Sequence, residues 1–161
     1  KIPVIAAGGL YDGRGLAAAL ALGATGVWMG TRFIASTEAH AGELYRQTIV
    51  EAADDDTIRT RCYSGKPMRV KKNPYVEDWE TRPGEIQGFP MQAALSTRAG
   101  VMGGIGGQIE GLDADSSCFA MGQSAGGVHD ILPAAEIVAR ILAEADTAID
   151  RMNALRSRVS A

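Results

Sequence analysis

Metal-binding and disulfide chemistry have little to draw on in this chain. Only two cysteines occur in 161 residues, Cys62 and Cys118, with no CxxC pair and no histidine at ligand spacing. A zinc site or a disulfide framework is therefore without support, and a reducing, cytoplasmic setting is expected. Excess positive charge is missing too: 16 basic residues stand against 19 acidic ones, a net charge of -3, which argues against nucleic acid as a partner. No stretch approaches the roughly 20 apolar residues of a membrane span, and no basic-then-apolar leader opens the chain. A soluble, unexported protein with no membrane partner is the expectation. Aromatic residues are scarce at 6%, whereas glycines number 20 and hydrophobic residues make up 46%. That balance suits an α/β core of one ordinary domain with many tight turns better than a sandwich built on aromatic pairs.

The order of elements is legible at the start. Pro3 to Ala7 is a short apolar run ending at Gly8-Gly9, the pattern of a parallel strand buried on both faces. It opens without an initiator methionine or lead-in, so a fragment of a longer protein is expected. Arg14 to Leu22 is dense in Ala and Leu and stops at Gly23, which predicts a helix. Thr25 to Met29 predicts a second strand, closed by Gly30-Thr31, and Ser36 as a cap with Glu38 in the first turn predicts a helix through about Ala53. Strand, helix, strand, helix implies a parallel sheet, either doubly wound or a TIM barrel.

After Asp54-Asp55-Asp56 the pattern changes to short mixed segments punctuated by Pro67, Pro74, Pro83 and Pro90, an excursion from the sheet. The run from Gly100 to Gly111 is glycine-dense, fits neither helix nor strand, and holds no GxGxxG turn. Ala134 to about Arg156 places Ile137, Val138, Ile141, Leu142, Ala145, Ile149, Met152 and Leu155 at helical spacing. A long amphipathic helix is expected there, with Pro133 near its first turn and Asp130 as a candidate cap.

Two glycine turns close two parallel strands, so both lie at the carboxyl edge where α/β proteins bind ligands. Gly8-Gly9 and Gly30-Thr31 could present backbone N-H groups to a phosphate, helped by the following helices and by the Thr31 hydroxyl. The same glycines are also what any sharp strand-to-helix turn requires. Two such turns about 20 residues apart match the phosphate site that TIM barrels build after their seventh and eighth strands.

The text PVIAAGGLYDGRGLAAALALGATGVWMGTRF resembles the end of the FMN barrel in the nitronate monooxygenase family, formerly called 2-nitropropane dioxygenases. SGKPMRVKKNPYVEDWE at Ser64 to Glu80, RPGEIQGFPMQ at Arg82 to Gln92 and MGQSAGGVHDILPAAEIVARI at Met121 to Ile141 agree with it. The first block is shared more loosely with flavin-dependent enoyl-acyl-carrier-protein reductases and quinone reductases.

The resemblance implies the C-terminal part of a TIM (β/α)8 barrel, within the α/β class, with a smaller α+β substrate-side domain. Residues 1-56 would be the last two βα units, 57-132 the substrate-side region and 133-161 the C-terminal helix. FMN is the implied cofactor. Gly8 and Gly9 match the turn after the seventh strand, and Trp28, Met29, Gly30 and Thr31 the end of the eighth, around the flavin phosphate. Gly122 and Gln123 match a loop that approaches the flavin, although Gln123 could equally cap local backbone groups. Trp28 could instead pack outside the barrel.

The family's catalytic histidine belongs to a segment upstream of Lys1, so no catalytic residue is assigned in this chain. His40 and His129 are read as solvated or capping. Arg69, Lys71 and Lys72 are read as solvated charge, with an anion-attracting rim near the flavin as the other reading. Cys62 and Cys118 are expected to be inert thiols.

The implied reaction is oxidation of an alkyl nitronate with oxygen to a carbonyl compound and nitrite. Alternatives are NAD(P)H-driven reduction of an enoyl thioester or quinone, or an inactive fragment. The expected partners are the small-molecule substrate, oxygen and the N-terminal half of the same protein, with self-association into a homo-oligomer as the other way to cover an exposed strand edge.

Overall fold

In a computed structural model, the described residues are 2-105, 107 and 109-159, with side chains to residue 156. Strand β1 (Ile5–Ala7) pairs in parallel with β2 (Gly26–Trp28), Ala7 standing opposite Trp28. Both strands therefore deliver their following turns to one end of the sheet. Helix α1 (Gly13–Ala21) connects them. Its cap is Asp12, whose carboxylate accepts from the Gly15 N-H at 2.9 Å.

Small residues let α1 lie close to α6 (Ala134–Val159), the long helix that returns from the far end of the chain. Ala17 is buried on α1, and a Cβ at Gly13 would be driven into the Ile141 carbonyl and the Ala145 amide. The expected double-sided burial of the strands is not present: Val4 and Ile5 are exposed. The physical reason is that α1 packs on β2 but no third strand joins the pair within the described residues.

The predicted helix from Ser36 to Ala53 is shorter, beginning only at Glu43, and a separate four-residue helix precedes Ser36. Helix α2 (Thr31–Ile34) stops as Ser36 donates its hydroxyl to the Phe33 carbonyl at 2.8 Å and pairs in parallel with Leu132. Helix α3 (Glu43–Val50) begins after Gly42. Glu38 is spent elsewhere: its carboxylate accepts the Ala134 N-H at 2.9 Å and so caps α6, the place expected for Asp130. Asp130 is instead held by Arg32 and Arg140.

The excursion is ordered. Strands β3 (Thr57–Thr60) and β4 (Met68–Lys71) form an antiparallel hairpin. Helix α4 (Pro74–Glu80) follows, capped by Asn73, which accepts from the Val76 N-H at 3.0 Å. Helix α5 is Met91–Arg98. Residues 119-121 then run along the free side of β4, with Lys71 N-H to the Phe119 carbonyl at 2.9 Å and Met121 N-H to the Arg69 carbonyl at 3.2 Å. This third run of backbone delivers the chain to Gly122. The described part of the glycine-rich segment is turns, and Gly106 and Gln108 lie outside the described residues.

Two apolar clusters anchor these pieces. One gathers Ala35, Tyr45, Ile49, Phe119, Met121 and Val128, the other Cys62, Tyr63, Val70, Val76 and Val101. Ile49 is fully buried, and burying such a side chain contributes about 1.5–3 kcal/mol. Tyr63 buries its ring while its hydroxyl donates to the Ser116 carbonyl at 3.1 Å, so no polar group is stranded. Among the described residues no helix is long and apolar enough to cross a membrane.

Candidate flavin site

Turn geometry explains the glycines at the end of β1. Gly8 and Gly9 have φ of +90° and +73°, the left-handed region that side chains with a Cβ adopt at a cost, and nothing lies within 4 Å of where a Cβ would be. The turn leaves an open approach to the main chain. Gly30, after β2, is likewise open to its surroundings. Within the described residues the amides of Gly9, Gly30 and Thr31 donate no hydrogen bond. The parallel register sets these two turns side by side.

The helices add less than expected. The first amides of α1 are already engaged, Gly15 by Asp12 and Gly13 by the Glu144 carboxylate at 2.9 Å. Helix α2 has only four residues, too few for a substantial aligned dipole. The backbone groups open at this end of the sheet are thus turn amides rather than helix ends.

Thr31 joins the turn to the GQSAG loop across 91 residues. Its Oγ1 accepts the Gly122 N-H at 2.9 Å, and the residue is 7% exposed. The hydroxyl proton remains for another acceptor. Beyond Gly122 the chain makes a 3-10 turn, Gln123–Gly127. Gln123 is exposed and its side chain forms no hydrogen bond to described residues, so it does not cap local backbone. Gly126 and Gly127 allow a close approach: a Cβ at Gly126 would stand 2.9 Å from the Asp54 backbone nitrogen, and one at Gly127 would enter the Tyr11 ring.

Of the sequence candidates, Gly8 and Gly9 follow β1 and Met29, Gly30 and Thr31 follow β2 at the same end of the strand pair, and Gly122, with Gln123 next to it, is tied to Thr31 by one hydrogen bond. Trp28 differs: it is 72% exposed. An open cleft of about 580 Å³ begins at Met29 and Gly30 and is walled by Phe33, Ile34, Tyr45 and Ile105. His40 also lines it and is exposed, while His129 faces a separate polar cleft with Arg32 and Asp130.

One further residue, Arg32, escaped the sequence reading, and Asp130 was expected there only as a helix cap. Arg32, 6% exposed, places Nη1 3.0 Å from the Asp130 carboxylate and donates from Nη2 to the Asp130 carbonyl at 3.1 Å. Burial lowers the Arg32 guanidinium from its ordinary value, a shift that Asp130 opposes. Burial alone would raise the Asp130 carboxyl, but Arg140 and Arg32 together hold it below the usual aspartate range. The only local signal was an arginine directly after the Gly-Thr turn.

The basic patch is largely engaged. Arg69 donates to the Thr57 carbonyl and hydroxyl at 3.2 and 3.0 Å, and Lys71 pairs with Asp56. Both cysteines are fully buried; burial raises the Cys62 thiol to about 11 and the Cys118 thiol further, so neither is an activated nucleophile. No group of three or more potential metal ligands occurs among the described residues.

A profile of the nitronate monooxygenase family matches residues 1-144. A probable nitronate monooxygenase of Staphylococcus aureus is 44% identical over 97 residues, 60% of this chain and 27% of the relative. Among solved structures, FabK from Thermotoga maritima superposes with a TM-score of 0.81 at 39% identity over 96% of this chain and 48% of that one. The nitroalkane oxidase of Streptomyces ansochromogenes gives 0.80 at 28% identity, over 94% of this chain and 42% of its own. The α/β fold class expected from the sequence, the C-terminal part of a barrel with a smaller α+β portion, is upheld by these likenesses. The chain spans less than half the length of each of these relatives. From the profile match over most of its length, the chain belongs to the nitronate monooxygenase family.

Proposed function

We propose that this chain is the C-terminal portion of an FMN-dependent oxidoreductase that oxidises alkyl nitronates with oxygen to a carbonyl compound and nitrite. The observation that carries the reading is that two open glycine turns leave the same end of a parallel strand pair, one of them joined to the GQSAG loop by the Thr31–Gly122 hydrogen bond. The residues fit a phosphomonoester. Undonated amides at Gly9, Gly30 and Thr31 and the free hydroxyl proton of Thr31 suit its oxygens. Gly8 keeps the approach clear, and Met29, Gly122 and Gln123 are assigned to the same site by the family likeness, Met29 as the neighbour of Gly30 and Gln123 as that of the Thr31-bound Gly122. Trp28 belongs to this set through the family likeness alone.

Bound FMN would supply the electron-accepting chemistry. This chain's share is placement: the turns hold the phosphate tail, and the cleft beside Met29 and Gly30 offers Phe33, Ile34 and Ile105 as apolar walls to a small alkyl substrate. The proton-transfer histidine of the family is assigned upstream of residue 1. Residues 57-132 form the substrate-side part and residues 133-161 the helix that closes the chain against α1. The remaining barrel strands of the same protein are the partner that covers Val4, Ile5, Leu22 and Trp28, all exposed here. A reducing, cytoplasmic setting accords with two buried free thiols.

The likeness to FabK, at higher identity than to the nitroalkane oxidase, favours a second reading: NAD(P)H-driven reduction of an enoyl thioester or quinone on the same FMN. One experiment separates them. The protein at its full natural length is loaded with FMN and mixed anaerobically with NADH or with propane-2-nitronate, then exposed to air. Nitronate-dependent bleaching followed by nitrite release supports the monooxygenase; rapid bleaching by NADH alone, with no nitrite from nitronate, supports the reductase and overturns the first reading.

A further inference from the structure

We propose that Arg32 is a positioning residue of the cofactor site, acting through Asp130 to fix the Gly122–Gln123 loop over the Gly30–Thr31 turn; the link to the cofactor rests on the FMN reading above. Two consecutive buried residues, Thr31 and Arg32, grip the two ends of one loop. Thr31 holds Gly122 through its hydroxyl oxygen, and Arg32 holds Asp130 through both the carboxylate and the carbonyl. The turn Gln123–Gly127 lies between these points.

The two grips differ in strength. Gly122 is held by one neutral hydrogen bond, whereas Arg32 presents a guanidinium shielded from water, for which an unpaired state is strongly disfavoured. Asp130 must therefore stay in place. Its second carboxylate oxygen is taken by Arg140 of α6, so the loop end is fixed between α2 and the long helix. Glu38, capping α6 at Ala134, ties that helix start back to the segment after α2. The planar fork matters as well as the charge, because a lysine ammonium cannot make the paired contacts that Arg32 makes to carboxylate and carbonyl.

The test compares the protein at its full natural length with its Arg32→Lys and Asp130→Asn variants; the first keeps the charge and loses the fork, the second keeps the shape and loses the charge, so a variant that fails to fold leaves the other to be read. Amide hydrogen exchange is read by NMR at Gly122 and, as an internal reference, at Val70 in the β3–β4 hairpin. FMN affinity is read by flavin fluorescence. The clamp predicts at least about tenfold faster exchange at Gly122 with Val70 unchanged, together with about tenfold weaker FMN binding. Exchange at Gly122 within twofold of wild type in either folded variant overturns it. If exchange accelerates but FMN binds wild type and variants equally, the link from loop to cofactor is overturned. If the full-length wild-type protein binds no FMN, that counts against the cofactor reading, and the exchange result still decides the clamp.

Discussion

Replacing Thr31 by valine probes the junction of the site with little change in shape. The side chain is 7% exposed, its Oγ1 accepts the Gly122 amide at 2.9 Å, and that amide has no second acceptor among the described residues. Valine keeps the branched volume and removes the acceptor, leaving the amide unpaired at a cost of about 1–3 kcal/mol. For a chain of this size each kcal/mol lowers Tm by roughly 2–4 °C, so a fall of about 2–12 °C is expected by calorimetry. The hydroxyl is also the donor assigned to the phosphate, a charged acceptor. Losing such a bond costs about 1.5–3 kcal/mol, hence roughly 10- to 150-fold in FMN affinity. Thr31→Ser keeps the oxygen and should retain both properties. A valine variant that matches wild type in Tm and in flavin titration would refute the reasoning, because neither the loop contact nor the phosphate contact would then depend on this oxygen.

Other outcomes are equally specific. Gly127→Ala drives a methyl into the Tyr11 ring, so chemical denaturation should reveal a loss of about 1–3 kcal/mol, against less than 0.5 kcal/mol for alanine at the open Gly88. Asp130 titrates below the ordinary aspartate range when folded, so its contribution is complete above the unfolded value near 4 and is lost as pH falls through the lower folded value. Urea midpoints from pH 7 down to pH 3 should therefore fall less steeply in Asp130→Asn than in wild type. At pH 8 a thiol reagent should label Cys62 and Cys118 at least about 100-fold more slowly in the native chain than in guanidinium; prompt native labelling would contradict their burial.

Local signals carried much of the fold. The apolar runs ending in glycine located β1 and β2, and helical spacing placed α6 within a few residues of its observed span, Ala134–Val159. Where the reading failed, the deciding contacts are distant in sequence. Glu38 was read as the first turn of its own helix, yet it caps a helix 96 residues away. Asp130 looked like a cap for α6, but a buried guanidinium 98 residues upstream claims it. The site divides the same way. Gly8, Gly9, Gly30 and Thr31 sit in turns that a short window reveals, whereas the Thr31–Gly122 bond is tertiary and no local pattern announces it. Helix dipoles were overcredited because nothing local tells that Glu144 occupies the start of α1.

The central claim is that turn amides at Gly9, Gly30 and Thr31 hold the phosphate of FMN. Titrating the 15N-labelled protein at its full natural length with FMN and, separately, with riboflavin isolates that phosphate, since the two ligands share the ring system. The account predicts large amide shifts at Gly9, Gly30 and Thr31 with FMN, much smaller ones with riboflavin, and markedly weaker riboflavin binding. Equal affinity for the two ligands, or FMN-induced shifts confined to residues away from these turns, would contradict it.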